Sequence, residues 1–298
     1  MGKTVKNDEL KNKLAKKAEN TPAPGKTLKA LLQDQSVKNR FNELLGKKSA
    51  GFISSLLNVV NSNPQLQAAD PHSILSAAAL AAALDLPIDP NLGFAYIVPY
   101  NVRQGDAHIL KAQFQLGYKG YIQLAMRTGA YKTINATEVY EGEIKNYNRF
   151  TGEFEFGEKE SDKIIGYIAY FKLLNGFEKY LYMTVEEIER HAKRYSKSYD
   201  SKNSRWKEDF HSMALKTVIK RLLSKYGILS IEMQTSLLAD QAVVKQDEEG
   251  NINYEYPDNI TLDEEYYIVH DEEETQEQQS ESENNEEKET TGQISIEA

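Results

Sequence analysis

The stretch QFQLGYKGYIQLAMRTG, residues 113–129, joins the two main patterns of this sequence. Its first part alternates polar and apolar side chains, as a half-buried β-strand does, and its second part has helical spacing. The two parts meet at GYKG, residues 117–120. Such a strand-to-helix junction predicts a mixed α and β fold. By itself, it is either a plain turn or a helix N-terminus that binds a phosphate.

Before and after this junction, the chain is predicted to contain helices first and then strands. Residues 27–86 have helical spacing, with Asp70 as an N-cap and Pro71 at the first position of a helix. The segments with strand patterns are residues 94–100, 107–117, 132–143, 163–176 and 177–183. Two helices follow, at residues 184–198 and 206–226. We therefore predict an α+β fold, in which an antiparallel sheet of about five strands is flanked by helices.

Charge is segregated along the chain. The formal net charge is −9. Residues 241–298 hold 19 acidic and 2 basic residues, which leaves 26 acidic and 34 basic residues in 1–240. A basic body with an acidic tail is typical of a polyanion-binding protein, and a soluble domain with a solubilising tail is the alternative. We expect a flexible basic N-terminus at 1–27, a core at 28–240 and a largely disordered tail at 241–298, although residues 253–270 hold enough Tyr and Ile to fold against something.

Several classes of chemistry lack their sequence signatures. The chain has no cysteine, and its five histidines show no zinc-site spacing. The GKT triplet at 25–27 has Asn20 where a phosphate-binding loop needs glycine. There is no G-x-S-x-G motif, secretion signal or membrane-spanning run. We expect an intracellular protein that is not an enzyme and needs no metal or other cofactor; a dependence on magnesium stays open.

The first candidate binding region is the basic segment 190–225, with eleven basic residues and three acidic ones. On a helical wheel of the predicted helix 206–226, the apolar side chains share one face, and Lys216, Lys220 and Arg221 lie on the other. This pattern predicts a cationic helix face that binds phosphate, and an ordinary amphipathic helix is the alternative.

The segment before that helix combines cations and aromatic residues, which is what backbone neutralisation with base stacking requires. Its candidate residues are Lys193, Arg194, Tyr195, Arg205 and Trp206. Trp206 is also well placed to pack as a hydrophobic staple for the helix that follows it.

The second candidate region is the strand-to-helix junction itself. Lys111, Gln113 and Gln115 alternate on one face of the strand. Tyr118 and Lys119 lie in the turn, and Arg127 follows two helical turns later. The other strand face, with Ala112, Phe114 and Leu116, is expected to belong to the core.

Three blocks of this sequence resemble the RecT family of phage single-strand annealing recombinases. They are LDLPIDPNLGFAYIVPY, KAQFQLGYKGYIQLAMRTGAYKTINATEVYEGE and the pattern W…F…MALKTVIKRLLSKYG…LS. They occur in the family's order and cover about residues 28–235. The resemblance implies a single-strand annealing protein core, related in architecture to the lambda Red beta protein.

The resemblance also implies a function. Such a protein binds single-stranded DNA, anneals complementary strands without ATP during homologous recombination, and forms rings and helical filaments. It acts in the cytoplasm of a bacterial host, beside a phage 5′→3′ exonuclease and the host single-stranded-DNA-binding protein. A metal-dependent nuclease and an oligomeric adaptor are the alternatives from the residues alone.

Overall fold

The computed structural model describes residues 27–104, 107–148, 150–196, 198–201, 204–246 and 252–256. Apart from Thr27, the predicted flexible N-terminus lies outside the described residues, and so does the GKT triplet except for Thr27. Most of the predicted acidic tail also lies outside them.

Five α-helices precede the first strand in the described part of the chain. They are α1 Leu28–Gln33, α2 Gln35–Leu45, α3 Ser49–Ser62, α4 Pro64–Ala68 and α5 Pro71–Ala83, with a 3₁₀ turn at Gly46–Lys48. The predicted start of α5 is confirmed, because the Asp70 carboxylate accepts hydrogen bonds from the N–H groups of His72 and Ser73 at 3.2 and 3.1 Å. Its alanine-rich centre is buried. Small side chains let α5 lie close to the sheet beside it, where Ala112 donates its N–H to the Ser73 hydroxyl at 2.8 Å.

The strands all pair antiparallel, in four separate sheets. β1 Ala95–Gln104 pairs with β2 Ala107–Leu116, and β4 Ile144–Asn148 pairs with β5 Glu153–Phe156. β3 Tyr131–Tyr140, β6 Ile164–Leu173 and β7 Glu178–Thr184 form one sheet in the order β3-β6-β7, and β8 Val243–Gln246 pairs with β9 Ile252–Glu255.

The α+β class and the antiparallel pairing are therefore confirmed, and all five predicted strands exist. They form a two-stranded and a three-stranded sheet, since a helix follows β2 directly and separates it from β3. The β4–β5 hairpin was not predicted from the sequence. Its two short strands hold two Asn and two Glu residues, which weaken a strand pattern.

The remaining helices cover the sheets and join them. They are α6 Tyr118–Arg127, α7 Val185–Tyr195, α8 Arg205–Glu208, α9 Phe210–Tyr226 and α10 Ile231–Ala239. The predicted capping box of α7 is present, formed by Thr184 and Glu187. Helix α9 packs against α6 and across β6 and β7. Its buried apolar side chains therefore connect the three-stranded sheet to the β1–β2 hairpin region.

The folded core continues past residue 240. Ala242 and Val243 are buried, and β8 packs against α5 and β2. Tyr254 in β9 packs against the main core, as expected for the start of the segment 253–270; residues 257–270 lie outside the described residues.

The glycines of the GYKG turn are required by close packing of two chain segments. Gly117 donates its N–H to the carbonyl of Phe94 at 2.9 Å. A Cβ atom at Gly117 would overlap the carbonyl oxygen of Gly93, and one at Gly120 would overlap that of Phe94. The expectation that these glycines admit a phosphate is therefore replaced: they admit the backbone of residues 93–94.

We predict that Gly117→Ala and Gly120→Ala each destabilise the fold by about 1–3 kcal/mol, because the methyl group forces two backbone segments apart. Gly51→Ala in α3 is the matched control, since nothing lies within 4 Å of an added Cβ there. It should be neutral or stabilising by up to about 1 kcal/mol. Urea unfolding of the three variants measures the difference, and equal stabilities would contradict the packing role.

Candidate nucleic-acid interface

A first concavity lies at the junction predicted from the sequence. It is bounded by β1 and β2, the start of α6, and the start of α9 with α8 before it. Its lining residues include Tyr96, Gln115, Gly117, Tyr118, Arg205, Asp209 and Ser212. The structure therefore brings together four predicted site residues, Gln115, Tyr118, Arg205 and Lys216, from segments about 90 to 100 residues apart.

The start of α6 opens into this concavity. Gly117 is its N-cap, and no side chain caps the helix. The first N–H groups of a helix have no intrahelical acceptor, and they carry the positive end of the helix dipole. Lys119 is exposed beside them, and the stem of its side chain passes over Gly93. The geometry is that of an anion-binding helix end with a cation beside it.

Arg205 and Tyr96 form the wall beside this helix start, where the Tyr96 ring lies against Gly117. The guanidinium carbon of Arg205 lies 5.6 Å from the centre of the Tyr96 ring, and the guanidinium also pairs with the exposed carboxylate of Glu208 at 3.2 Å. An exposed ion pair of this kind is worth at most about 1 kcal/mol, so an incoming phosphate can replace it. Burial raises the pKa of Tyr96 and Arg205 lowers it, with a net increase, so its hydroxyl stays protonated and able to donate.

A second concavity lies along the next part of α9, and it shares Met213 and Lys216 with the first. Its other lining residues come from α7, α8, α9 and the turn after α10, and include His191, Tyr195, Trp206, Lys220, Arg221 and Gln241. Arg221 lies 3.3 Å from His191, measured between Nη1 and Nδ1. Burial, together with the nearby charges of Arg221, Lys220 and Arg194, lowers the pKa of His191 to about 3. The neutral ring therefore lies in a field that favours anions.

Asp240 connects the two concavities from beneath. Its buried carboxylate accepts hydrogen bonds from Lys216 Nζ at 2.9 Å and Lys220 Nζ at 3.2 Å. It also accepts from the N–H of Leu116 at 2.9 Å and the hydroxyl of Tyr121 at 3.0 Å. Burial would raise the pKa of Asp240, but the two lysines lower it to about 2. Asp240 is therefore ionised, and it holds α9, α6 and the end of β2 together.

The prediction that Lys216 lies on an exposed cationic face of α9 is wrong. Its side chain is only 8 % exposed and is ion-paired with Asp240, and burial lowers its pKa. The helical wheel assumed one buried face, whereas α9 packs against the sheet on one side and contacts Asp240 after α10 on another. Lys220 is shared between Asp240 and the second concavity, at 22 % side-chain exposure. Arg221 is partly exposed in the same concavity.

The predicted polar face of β2 is also largely covered. Gln113 is completely buried, and its amide donates to the carbonyl of Gln241. Lys111 is mostly buried, with its ammonium 3.9 Å from the Glu255 carboxylate. Both are covered because Gln241 and Glu255 pack over this face. Gln115 alone of the three reaches the first concavity. The predicted core face, with Ala112, Phe114 and Leu116, is confirmed.

Arg127 and Trp206 stabilise the fold. The Arg127 guanidinium donates to the carbonyls of Leu84 and Asp85 at 2.6 and 2.7 Å, and so it binds the C-terminal end of α5. Trp206 is 8 % exposed and packs beside Phe210 with ring centroids 5.8 Å apart. This agrees with the staple interpretation, because the ring is a wall of the concavity and offers no free face for base stacking.

Two predicted cations lie on α7, away from these contacts. Lys193 and Arg194 are exposed, and each lies near an aromatic ring: Lys193 at 5.8 Å from Tyr199 and Arg194 at 5.6 Å from Tyr195. They extend the positive surface beyond the second concavity.

The sequence analysis missed Tyr96 and Asp240. Tyr96 shares a strand face with Val98, which also lines the first concavity, so its alternation with buried Ala95 and Ile97 was a usable signal. Asp240 had none, since its partners lie from 20 to 124 residues away. Within the described part of the chain, no three His, Asp or Glu side chains are grouped to hold a metal ion. No described helix has the length and apolarity to cross a membrane.

Comparison with known proteins agrees with the resemblance noted from the sequence. Residues 50–261 match the sequence model of the RecT family. The chain is 50 % identical over 246 residues to the uncharacterized protein YqaK of Bacillus subtilis strain 168, which covers 81 % of this chain and 80 % of the relative. It is 31 % identical over 186 residues to protein RecT of Escherichia coli K12, which covers 60 % of this chain and 66 % of that protein.

We predict that Asp240→Asn destabilises the fold by about 3–5 kcal/mol, because it leaves the buried Lys216 ammonium without its counter-charge. Glu232→Gln, at an exposed position in α10, is the matched control and should change stability by less than about 0.5 kcal/mol. Chemical denaturation at neutral pH measures both. A loss in Asp240→Asn no greater than in the control would show that the ion pair does not stabilise the fold.

The same residue predicts a pH dependence. The pKa of Asp240 is about 2 in the folded protein and about 3.9 when unfolded, so its ionisation stabilises the fold above pH ~4. This contribution, on the order of 2–3 kcal/mol, is lost as the pH falls from about 4 to about 2. We expect the difference in stability between Asp240→Asn and the unchanged protein to shrink across that window in acid unfolding curves. A constant difference would contradict the assigned pKa.

Proposed function

The chain belongs to the RecT family, which has a general role in DNA recombination by strand annealing, and from this premise we propose its specific function. It binds single-stranded DNA at the two concavities and anneals a complementary strand without ATP. The observation that carries this proposal is the pairing of Arg205 and Tyr96 beside the uncapped start of α6. In this proposal a backbone phosphate binds Arg205 and the first N–H groups of α6, and a base packs against the ring.

The two concavities provide consecutive phosphate sites along α9. At the first, an anion would bind Arg205 and the first N–H groups of α6, with the exposed Lys119 beside that helix start. At the second, Lys220 and Arg221 face the opening, and Lys193 and Arg194 continue the positive surface on α7. Phosphate contacts fix the path of a strand and carry no sequence information. The protein therefore binds any sequence and leaves recognition to base pairing.

Annealing requires neutralisation of two phosphate backbones. When a second strand approaches the first, its phosphates are repelled unless further cations are present. In this proposal the cations that line the two concavities hold the first strand. The exposed Lys193 and Arg194 on α7 reduce the electrostatic repulsion between the phosphates of the first and second strands. Annealing forms base pairs and changes no covalent bond of the DNA, so the proposal contains no cleavage step and no step of nucleotide hydrolysis.

The remaining parts of the proposal follow the family. The protein acts as a homo-oligomeric ring or helical filament, so that the concavities of neighbouring copies form a continuous groove. The core from residue 28, with its extension through residue 256, binds DNA, and the acidic remainder stays outside the groove. A phage 5′→3′ exonuclease supplies single strands, and the host single-stranded-DNA-binding protein hands them over, in the bacterial cytoplasm.

Sequential addition of two complementary oligonucleotides tests this function. The protein is first bound to one labelled strand, and the second strand is added in the presence of EDTA and without ATP. We expect duplex formation much faster than in the protein-free control, and no acceleration with a non-complementary strand. Strand cleavage that appears when Mg²⁺ replaces EDTA would support a nuclease, and absence of any DNA complex would support an adaptor.

We predict that Arg205→Ala and Lys119→Ala each weaken binding of single-stranded DNA about tenfold, or ~1.4 kcal/mol. Each should also reduce the slope of log affinity against log salt by about 1, equally for different sequences. Lys225→Ala is the matched control: this lysine is exposed at the C-terminal end of α9, nine residues after Lys216, the last residue of α9 that lines the first concavity. Fluorescence anisotropy over a salt series measures the effects. Equal losses in all three variants would remove the first concavity from the DNA path.

A further inference from the structure

Arg221 of α9 meets the imidazole of His191 of α7 in the second concavity. Its Nη1 atom lies 3.3 Å from Nδ1 of the ring. A guanidinium has five N–H donors and no acceptor, and it stays protonated in proteins. Arg221 is therefore the donor, and Nδ1 of His191 accepts with its lone pair. An imidazolium carries an N–H group on both ring nitrogens, so this hydrogen bond requires a neutral His191 with its proton on Nε2.

The surroundings of His191 keep its ring in this neutral state. The charged and titratable groups around it are Arg194 and Tyr195 on α7, Lys220 and Arg221 on α9, and Asp240 after α10, which pairs with Lys220. The three charges that act on the ring are positive, and together with burial they lower its pKa to about 3. The ring therefore remains an acceptor throughout the physiological range of pH.

The imidazole is held in place by the packing of α7. The capping box of Thr184 and Glu187 begins this helix, and Ile188 and Ala192, which flank His191 along the chain, are buried in the core. One turn later, the ring of Tyr195 lies 4.6 Å from the imidazole, measured between centroids. An acceptor that is anchored in this way can orient the longer side chain of arginine.

A neutral acceptor orients a guanidinium without reducing its charge. Arg205 in the first concavity pairs with the carboxylate of Glu208, and Lys220 in the second pairs with Asp240. In the part of the chain that the structure describes, Arg221 has no carboxylate partner. One of its N–H groups is fixed by His191, while its positive charge is not offset by an ion pair. The other N–H groups can donate to a phosphate.

We propose that His191 is a positioning residue for phosphate binding, because its Nδ1 lone pair holds the Arg221 guanidinium at the second concavity and leaves the positive charge of that group uncancelled. A phosphate of the bound strand then meets a guanidinium that is already ordered, so less side-chain entropy is lost on binding. His191 itself adds no charge to the site. The inference rests on the proposed function and deepens it, since it identifies how one cation of the second concavity is prepared for the strand.

A double-mutant cycle on the full-length protein tests this role. Fluorescence anisotropy over a salt series measures the affinity for single-stranded DNA of His191→Phe, Arg221→Ala and the variant with both changes. Phenylalanine keeps a ring beside Tyr195 and removes Nδ1. We expect His191→Phe to weaken binding about three- to tenfold, with an unchanged salt slope because no charge is lost. Arg221→Ala should weaken binding about tenfold and reduce the slope by about 1. Adding His191→Phe to Arg221→Ala should cause no further loss.

Three further variants and a pH series separate positioning from a purely structural role, and thermal unfolding checks that each variant is folded. His191→Asn should restore most of the affinity, because its side-chain oxygen can occupy the position of Nδ1. His191→Leu also lacks an acceptor and should behave like His191→Phe. The ratio of the affinities of the unchanged protein and His191→Phe should stay constant between about pH 5.5 and 8, since a neutral ring does not titrate there. His72→Phe, at an exposed position in α5, is the control and should bind DNA like the unchanged protein.

Several outcomes would overturn the proposal. Additive losses in the cycle would show that His191 does not act through Arg221. A reduced salt slope in His191→Phe, or an affinity ratio that rises as the pH falls through about 6.5, would make His191 a charged phosphate ligand instead. An unchanged affinity in Arg221→Ala would remove this arginine from the DNA path and leave the first concavity to the proposed function.

Failure of the proposed function has a different result, namely that the protein binds no single-stranded DNA. The same cycle with inorganic polyphosphate as the probe then decides the role of His191. Losses that depend on Arg221 would support the positioning role, and additive losses would overturn it.

Discussion

The buried carboxylate of Asp240 is the interaction on which the arrangement of the binding surface depends. Four donors reach it, from two positions on α9, from α6 and from the last residue of β2. An isolated buried carboxylate is strongly unfavourable, and its burial is possible only because charged and neutral donors surround it. The two concavities meet above this carboxylate. Their relative position is therefore fixed by an electrostatic contact inside the core.

Cations near the proposed polyanion site have two different roles in this protein. Lys216 and Arg127 neutralise or cap groups of the protein itself, so they are not available to a ligand. Among the described residues, the charged partner of Arg205 is the exposed carboxylate of Glu208, and in the proposed function a phosphate replaces that partner at small cost. Lys220 belongs to both groups, since it helps to neutralise Asp240 and lines the second concavity. The number of basic residues in a segment therefore overstates how many of them can bind DNA.

Sequence reasoning predicted the elements of the fold well, because their signals are local. The cap at Asp70, the capping box at Thr184 and the five strand segments each lie within a few residues of the features that define them. It predicted the sides of elements less well. Both Lys216 and Gln113 were placed on exposed faces, since a helical wheel or a strand alternation shows where apolar side chains lie and not what covers the polar ones. Asp240 covers Lys216, and Gln241 covers Gln113. Nothing in the sequence near Lys216 or Gln113 indicates these contacts.

The opening junction shows how one local feature depends on distant packing. GYKG carries its glycines because the backbone of residues 93–94 crosses the turn, and this close approach also sets where α6 begins. The same crossing brings Tyr96, three residues after Gly93, to the open end of the helix, where Arg205 lies above its ring. A packing constraint on two glycines thus produces an uncapped helix start, an aromatic ring and a guanidinium group in one place. The proposed anion binding at this site therefore needs no contact between the glycines and the ligand. The glycines contribute indirectly, because they position the start of α6, Tyr96 and Arg205, which are the groups proposed to bind.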